Sequence, residues 1–469
     1  MAYVGWARKH VARANQQVRG IIIGGKPDRS CNNVLLPQCA IGGAAGRSIG
    51  VTDPSRRGLA VVLCALVILG AWLRVNWINQ VASRTGDERT YTDFARRVAA
   101  RGLGEFRALI TEHHQNRDLW IMPPPTRLGE IALVAGWMKV TGVQDERAGT
   151  WVSCLSSIAS LALLAVIAFR FLPPSAGVYA TACLAISLPA LVIASRSWAD
   201  APMELAGLLM LWGCCELRRG RRQLWKYLLL MTTGSASVLF KETGALIYLG
   251  CGLYVVILLL RDHAWREATS FVLCGLAAAA VVSGLLFVAA GGFSSFLTVG
   301  RDWSQGKLVN SYDAHLQDGP WLAFFVGWWI LTPVNFLLAA TGLTLLPVRK
   351  ESPVGRLMGF PLLSHVRLIY WIALVVLSTV LILPASLNFR YLSPIYDGMY
   401  LVGGVGLCIV LGWAGGISSW GGRVTFLLSL ACVLAVGVRD YRFASAARAG
   451  TRIPDLALGF VLGGCPELR

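Results

Sequence analysis

The sequence predicts an all-α polytopic membrane protein. Hydrophobic residues make up 55% of the 469 residues and charged residues only 14%, and the mean hydropathy is +0.58. Apolar stretches recur along the chain at the length that an α-helix needs to cross a bilayer, which predicts about 11 transmembrane helices. The 17 tryptophans suit anchoring at the two membrane interfaces.

The strongly basic balance of the chain also fits a membrane protein. A formal net charge of +18 would favour nucleic-acid binding in a soluble protein. Here the basic residues collect at the ends of apolar stretches, as at 218–222 and 349–350, where cytoplasmic loops meet anionic lipid. We therefore expect membrane lipids as partners and no nucleic acid. The 12 cysteines form no CxxC pair and no zinc-ligand spacing, so we interpret them as small core residues.

The order of charge and hydropathy divides the chain into three parts. Residues 1–58 contain nine basic and two acidic side chains without a convincing span, which indicates a disordered cytoplasmic leader. Residues 59–440 form the predicted transmembrane domain, and residues 441–469 a C-terminal tail. Because basic residues precede the first span, Leu59–Ile78, the long loop 79–148 is expected outside.

The later spans alternate in direction, and nearly all of their basic clusters fall on the predicted cytoplasmic side. The arginines of the C-terminal tail are an exception, since the number of spans places them outside. The predicted spans after the first are 150–169, 177–194, 201–217, 228–240, 245–260, 268–290, 320–346, 368–384, 392–413 and 424–438. A second external loop, 291–319, separates two of them.

Two amphipathic helices are predicted in the first external loop. The first has an apolar side and an arginine side at helical spacing, namely Tyr91, Phe94 and Val98 against Arg96, Arg97 and Arg101. This pattern predicts a helix on the membrane surface with its arginines at lipid headgroups. The second covers 122–143 and is predicted to start at the run Pro123–Pro125, since proline favours the first helical turn.

Seven charged or titratable residues are predicted on the external side of the helix ends. They are Asp87, Glu88, Asp200, Glu204, Lys241, His315 and Arg390. Acids at a membrane boundary usually face a cavity or a partner, because facing lipid is costly. Acids together with separate cations suit a reaction that needs a base and a phosphate clamp.

Each of these residues also has a structural interpretation. Asp87 and Glu88 suit a helix N-terminus equally well, and Asp200 lies where turn chemistry is common. Lys241 and Arg390 suit interfacial anchors. No ligand spacing surrounds the histidine at 315, so a divalent metal is possible but unassigned. The absence of a Walker loop or a dinucleotide motif argues against a soluble nucleotide donor.

Six segments, taken in order, resemble the GT-C membrane glycosyltransferases, in the bacterial branch related to protein O-mannosyltransferases and lipid A aminoarabinose transferases. They are GDERTYTDFARRV (86–98), MPPPTRLGEIALVAGWMKVTGV (122–143), SRSWADAPMELAGLLML (195–211), VLFKETGALIYL (238–249), HLQDGPWLAFFVGWWILTP (315–333) and FRYLSPIY (389–396). The resemblance runs from about residue 59 to about residue 413 and implies a GT-C-type fold with amphipathic juxtamembrane helices.

The resemblance implies an inverting transfer of a sugar from a polyprenyl-phosphate donor to a hydroxyl of a lipid, glycan or protein acceptor. The reaction would take place on the periplasmic face of a bacterial inner membrane, with no organic cofactor. Asp87, paired with Glu88, would be the catalytic base. Asp200, Glu204 and the histidine at 315 would help to bind or orient the substrates or a possible divalent metal.

One departure from the family pattern affects the phosphate site. The lysine that usually precedes the double proline is Met122 here, so phosphate binding is expected to fall to Lys241, Arg390 and Arg147. Two alternatives remain, namely an inactive relative and a non-enzymatic transporter of lipid-linked sugars. A transporter is expected to show paired repeats with broken helices at the bilayer midplane, and the sequence shows no such repeat.

Overall fold

The computed structural model describes residues 54–78, 85–219, 223–310, 323–345, 388–417 and 420–449. Every regular element in these ranges is helical. Most of the predicted leader, the predicted span 368–384 and the candidate His315 lie outside the described residues.

The described helices are numbered in chain order. They are α1 Pro54–Ile78, α2 Gly86–Arg101, α3 Glu105–Gln115, α4 Leu128–Thr141, α5 Arg147–Phe171, α6 Pro174–Ile186, α7 Leu188–Ala194, α8 Asp200–Arg219, α9 Leu224–Ser237, α10 Gly244–Arg261, α11 Trp265–Ala290, α12 Phe293–Leu308, α13 Ala323–Leu331, α14 Pro333–Leu345, α15 Ser393–Ile417 and α16 Gly421–Ala449. Short 3-10 turns lie at Arg117–Leu119 and Phe389–Leu392.

Five of these helices are long and apolar enough to cross a membrane. They are α1, α5, α10, α11 and α16. The bent pair α6–α7 makes a sixth if it is counted as one span. The predicted spans 201–217 and 228–240 correspond to α8 and α9, which are not among the five. The chain is an integral membrane protein by this measure, but the described residues do not reach the predicted number of spans.

Two predicted spans are interrupted, and in both a proline lies at the break. The predicted span 177–194 bends by 50° between α6 and α7, where Pro189 occupies the start of the second helix. The predicted span 320–346 breaks at Thr332, directly before Pro333 opens α14. Proline lacks the N–H that would continue the preceding helix and clashes with the carbonyl one turn back, so each stretch divides into two helices.

The amphipathic helix after residue 85 is confirmed as α2, but its apolar side does not face lipid. Its apolar side is covered by α4 and by α3. Helix α3 was not predicted from the sequence. On its other side, Arg97 forms an ion pair with Glu105, 2.8 Å between Nη2 and Oε1. The spacing of apolar residues shows that a helix has two sides, and it does not distinguish a protein partner from lipid.

The second helix of this loop begins later than predicted. Helix α4 starts at Leu128, after the prolines. A residue that precedes a proline is restricted to extended conformations, so consecutive prolines keep this segment out of the helix. The backbone N–H of Gly129 donates instead to the carbonyl of Leu239, at 2.8 Å, which joins the start of α4 to the turn after α9.

The arrangement gives a test of the predicted sidedness. Gln115 ends α3 and Gln223 precedes α9, and both side chains are exposed. We expect a membrane-impermeant maleimide to label Gln115→Cys in intact cells and to label Gln223→Cys only after permeabilisation, because basic clusters mark the cytoplasmic side.

The unsubstituted chain supplies the background for this measurement, since Cys64 and Cys432 are exposed along their helices. Equal labelling of both engineered sites in intact cells, or the reverse order, contradicts the predicted topology.

Candidate active site

The start of α2 is fixed by the buried carboxylate of Glu88. Its Oε2 accepts a hydrogen bond from the backbone N–H of Thr85 at 2.8 Å and another from Nη1 of Arg196 at 2.8 Å. Its Oε1 accepts one from the backbone N–H of Ser197 at 3.1 Å. The side chains of Glu88 and Arg196 are at most 3% exposed. Glu88, predicted to be catalytic alongside its neighbour, is therefore held in a way that suits positioning.

Asp87 lies one residue earlier, and its environment is different. Its side chain is 30% exposed, and its Oδ2 lies 3.2 Å from Nη2 of Arg390. Because Thr85 and Glu88 cap the helix, Asp87 is not needed as a cap. Arg390 is presented by the 3-10 turn Phe389–Leu392, where the side chain of Asn388 accepts a hydrogen bond from the Arg390 backbone N–H.

A second ion pair lies in the turn between α9 and α10. Lys241 Nζ donates to Oδ1 of Asp200 at 2.6 Å, and both side chains are at least nine-tenths buried. Burial lowers the pKa of Lys241, and the charge of Asp200 opposes that shift. The turn closes tightly at Gly244, where a β-carbon would lie 2.6 Å from the backbone carbon of Ser237.

Three cations from three segments converge on the ring of Tyr391. Lys241 Nζ lies 4.1 Å from the ring centroid, Lys307 Nζ 5.4 Å and Arg390 Cζ 5.4 Å. Burial acts to raise the pKa of the Tyr391 phenol, but the positive charges of these three residues hold it below its usual value. The aromatic face stabilises cations that would otherwise repel one another.

Trp198 connects the two ends of this arrangement. Its ring lies 5.2 Å from Cζ of Arg196 and 4.7 Å from Cζ of Arg390. The partner of Glu88 and the partner of Asp87 therefore contact the same indole. Ser153 of α5 donates to the Trp198 carbonyl at 3.0 Å, which joins the segment between α7 and α8 to α5.

Arg127 forms a further part of the cluster, after the proline run. Its guanidinium makes two hydrogen bonds to the carboxylate of Glu242, at 3.1 and 2.9 Å, and a third to the Tyr91 hydroxyl at 2.6 Å. Its Cζ lies 5.5 Å from the ring of Trp303. The Lys307 ammonium lies 4.6 Å from the same ring, so α12 contributes to the cluster as well.

Among the described residues, the cluster brings together four cations and three acids. It contains Arg127, Lys241, Lys307 and Arg390 against Asp87, Asp200 and Glu242. Nearby Glu130 adds little charge at neutral pH, because burial and the charge of Asp200 raise its pKa to about 8. Fixed, partly desolvated cations beside a part-exposed carboxylate suit an anionic substrate whose neighbouring group loses a proton.

Not every predicted site residue lies in this cluster. Glu204 is buried, one helical turn along α8 from Asp200. Arg147 is exposed and pairs with Asp145 at 2.8 Å. The tip of Met122, which stands where the family has lysine, approaches Gly86 and so lies beside Asp87.

Five members of the cluster were not predicted from the sequence, namely Arg127, Glu242, Trp303, Lys307 and Tyr391. The last had a sequence signal, since it adjoins Arg390 in the FRYLSPIY motif. Trp303 and Lys307 are four residues apart and thus share one side of a helix, but nothing in the sequence indicated a helix there. In the described ranges no group of three or more His, Cys, Asp or Glu side chains is placed to hold a metal ion.

Comparison with known proteins agrees with the fold. Residues 130–287 match the profile of a family described as dolichyl-phosphate-mannose-protein mannosyltransferase. The structure of ArnT from Cupriavidus metallidurans bound to undecaprenyl phosphate is 16% identical, with a TM-score of 0.50 over 87% of this chain and 76% of that one. No curated protein gives a significant match.

An oligosaccharyltransferase from Archaeoglobus fulgidus is also similar in structure. Its apo form gives a TM-score of 0.55 at 10% identity, and its form tethered to an acceptor peptide gives 0.54 at 11%. The match covers 85% of this chain and 56% of that one, so this chain spans little more than half of the archaeal enzyme. The predicted resemblance is confirmed: the chain has the fold of the GT-C membrane glycosyltransferases.

The buried pair at the start of α2 gives a prediction about stability. Glu88→Ala leaves the Arg196 guanidinium without its carboxylate in a site that excludes water. Removing one partner of a buried pair costs about 3–5 kcal/mol of unfolding free energy. We expect a loss of that order in detergent micelles, measured by chemical denaturation.

Two further variants calibrate the measurement. Glu88→Gln is expected to lose less, because an amide oxygen still accepts from Thr85 or Ser197. Arg147→Ala breaks an exposed pair and is expected to change stability little. Wild-type stability of Glu88→Ala would show that this pair does not hold the start of α2.

Proposed function

We propose that the protein is an inverting glycosyltransferase that moves a sugar from a polyprenyl-phosphate donor to an acceptor hydroxyl. The observation that carries this proposal is the position of Asp87, a part-exposed carboxylate 3.2 Å from Arg390 at the border of a cluster of fixed cations. A reaction that removes a proton from one substrate and releases phosphate from the other needs these two features side by side.

The proposed step moves one proton and one glycosyl group. Asp87 accepts the proton of the acceptor hydroxyl, whose oxygen attacks the anomeric carbon from the face opposite the phosphate. The bond between that carbon and the phosphate oxygen breaks, and its electron pair stays on the phosphate. The anomeric configuration is thereby inverted.

The cations have more to stabilise as the reaction proceeds. The donor phosphodiester carries one negative charge, and the departing polyprenyl phosphate gains a second as the bond breaks. Cations fixed around Tyr391 therefore interact more strongly with the transition state than with the bound donor, which is the condition for catalysis. Lys241, Lys307 and Arg390 come from three different segments, and all three lie within 5.4 Å of the Tyr391 ring centroid.

The structural neighbours support a lipid-linked donor and a separate acceptor. The similar ArnT structure contains undecaprenyl phosphate, and the similar oligosaccharyltransferase is tethered to an acceptor peptide. The proposal assigns the reaction to the external face of a bacterial inner membrane, since the arginine clusters predict that side for Asp87. Asp200 and Glu88 act through their partners, by holding Lys241 and the start of α2.

The role of Asp87 is tested by one substitution. Asp87→Asn keeps the shape of the side chain but cannot accept the proton. General-base catalysis contributes typically 10²–10⁴-fold, and we expect turnover with a defined polyprenyl-phosphate sugar to fall by about that much.

Donor affinity separates this role from a structural one. It is expected to change little in Asp87→Asn, because a base acts mainly in the transition state. Asparagine also suits a helix N-terminus about as well as aspartate, so a helix-terminus role predicts nearly full activity. Wild-type turnover by purified, folded Asp87→Asn would refute the assignment.

The phosphate clamp is tested through donor binding. Lys241→Ala, Lys307→Ala and Arg390→Ala each remove one cation near Tyr391. A charge-assisted hydrogen bond contributes about 1.5–3 kcal/mol, so donor affinity is expected to fall about ten- to a hundredfold in each variant.

Lys139→Ala supplies the matched control, because Lys139 is an exposed cation on α4 outside the cluster. Binding is measured by isothermal titration of the purified protein with the polyprenyl-phosphate sugar. If all three clamp variants bind the donor as tightly as Lys139→Ala does, the phosphate lies elsewhere.

A further inference from the structure

A pair of carboxyl groups lies one helical turn further along α8 and α15 than the residues of the candidate site. Glu204 follows Asp200 by one turn in α8, and Asp397 follows Ser393 by one turn in α15. Both are 1% exposed, and their carboxyl groups are within hydrogen-bonding reach of each other. Two adjacent helices that both begin at the candidate site therefore meet through two acids.

No donor in the described part of the chain hydrogen-bonds to any of the four oxygens of this pair. The phenol of Tyr396 donates to the carbonyl of Phe389, and the phenol of Tyr400 lies 2.5 Å from Ser187 Oγ. Two carboxylates within hydrogen-bonding reach of each other repel strongly when both are ionised. A carboxyl group that keeps its proton can instead donate it to the other.

Arg74 of α1 is the cation whose charge acts on both acids. It is completely buried, and its N–H groups are directed to other acceptors. They donate to Ser157 Oγ and to the carbonyls of Gly70, Leu184 and Ala185, at 2.9 to 3.2 Å. The last two carbonyls belong to the end of α6, where the helix breaks. Arg74 therefore balances charge without bonding either carboxyl group.

Arg74, Glu204 and Asp397 form a buried layer, and its charges determine how many protons the two acids hold. Asp200 is already paired with Lys241, so one guanidinium faces two acids. Buried charge is costly unless it is balanced. The layer is neutral when one of the two acids is ionised and the other holds a proton.

We propose that Glu204 and Asp397 share one proton and act as a positioning pair, which fixes the starts of α8 and α15 relative to each other and so holds the phosphate clamp together. This inference rests on the proposed function for what the clamp binds. The link to the site is direct, because Ser393 Oγ donates to the carbonyl of Asp200 at 3.2 Å. Asp200 holds Lys241, and the turn before Ser393 carries Arg390.

The experiment compares four proteins, namely the wild type, Glu204→Gln, Asp397→Asn and the double variant. Each single amide is nearly isosteric with the acid, donates an N–H to the remaining carboxylate and leaves one negative charge opposite Arg74. We expect both single variants to bind the polyprenyl-phosphate sugar within about twofold of wild type, since charge balance and the bond between helices are kept.

The double variant removes both acids and leaves the buried Arg74 unbalanced. We expect donor affinity at least about tenfold weaker than wild type, and a midpoint of thermal unfolding lower by about 5 °C or more. The signature is non-additivity in the double-mutant cycle, which a role in filling space alone does not produce. Glu216→Gln, at the other end of α8 and paired with Arg170, controls for loss of an acid from the same helix.

The outcomes are separable. If each single variant loses as much as the double variant, or if the double variant matches wild type in both measurements, the shared proton is refuted. If the wild-type protein does not bind the donor, the proposed function fails. The unfolding midpoints of the four ligand-free proteins still test the pair in that case, because charge balance does not require a ligand.

Discussion

The candidate site depends on the burial of the Glu88 carboxylate. This group belongs to the first long loop, and its partners Arg196 and Ser197 belong to the segment between α7 and α8. Gly149 allows the start of α5 to approach that segment, since a β-carbon there would overlap the Ser197 side chain. A buried ion pair that also caps a helix leaves little freedom for the residues beside it. Asp87 is one of them, so its carboxylate keeps a fixed position while remaining accessible.

Burial gives the two adjacent acids different environments, although the sequence presents them as an equivalent pair. The completely buried acid is surrounded by donors, while Asp87 is part-exposed and faces one guanidinium. A base must reach its substrate, and a positioning group gains from exclusion of water, because hydrogen bonds to a charge strengthen as the dielectric falls. This difference in burial predicts different consequences for substitutions of Asp87 and Glu88.

Much of the fold could be predicted from composition and periodicity. The apolar stretches that became α1, α5, α10 and α11 agree closely with the structure, because a span is a local property of the sequence. The breaks at Pro189 and Pro333 had visible causes but were not predicted, since proline is tolerated in membrane helices when neighbours satisfy the freed backbone groups. The environment of α2 depended on the covering helix α3, and a tertiary contact of this kind leaves no periodic signal.

The site was predictable only in part for a related reason. Asp87, Asp200, Lys241 and Arg390 lie at helix ends, where charged residues in an apolar sequence attract notice. Nothing in the sequence near Lys307 or Arg127 connects these cations to the site, and only their contacts in the structure reveal them. The pairing of Glu204 was likewise hidden, because Asp397 is nearly two hundred residues away in the sequence.

Positive charge is balanced differently in the candidate site and in the layer of Arg74, Glu204 and Asp397. Beside part-exposed Asp87, water and the proposed phosphate are available, so the cations there are useful for binding. One helical turn further along α8 and α15, the side chains are buried away from water and from the proposed phosphate. There Arg74 faces two acids that together supply one negative charge if they share a proton. The helices that carry the clamp are then held by a neutral layer, whose stability does not vary with the charge of the bound substrate. If the proposed clamp binds a phosphodiester and releases a phosphate of higher charge, a neutral layer next to it leaves only the cations of the clamp to respond to the change.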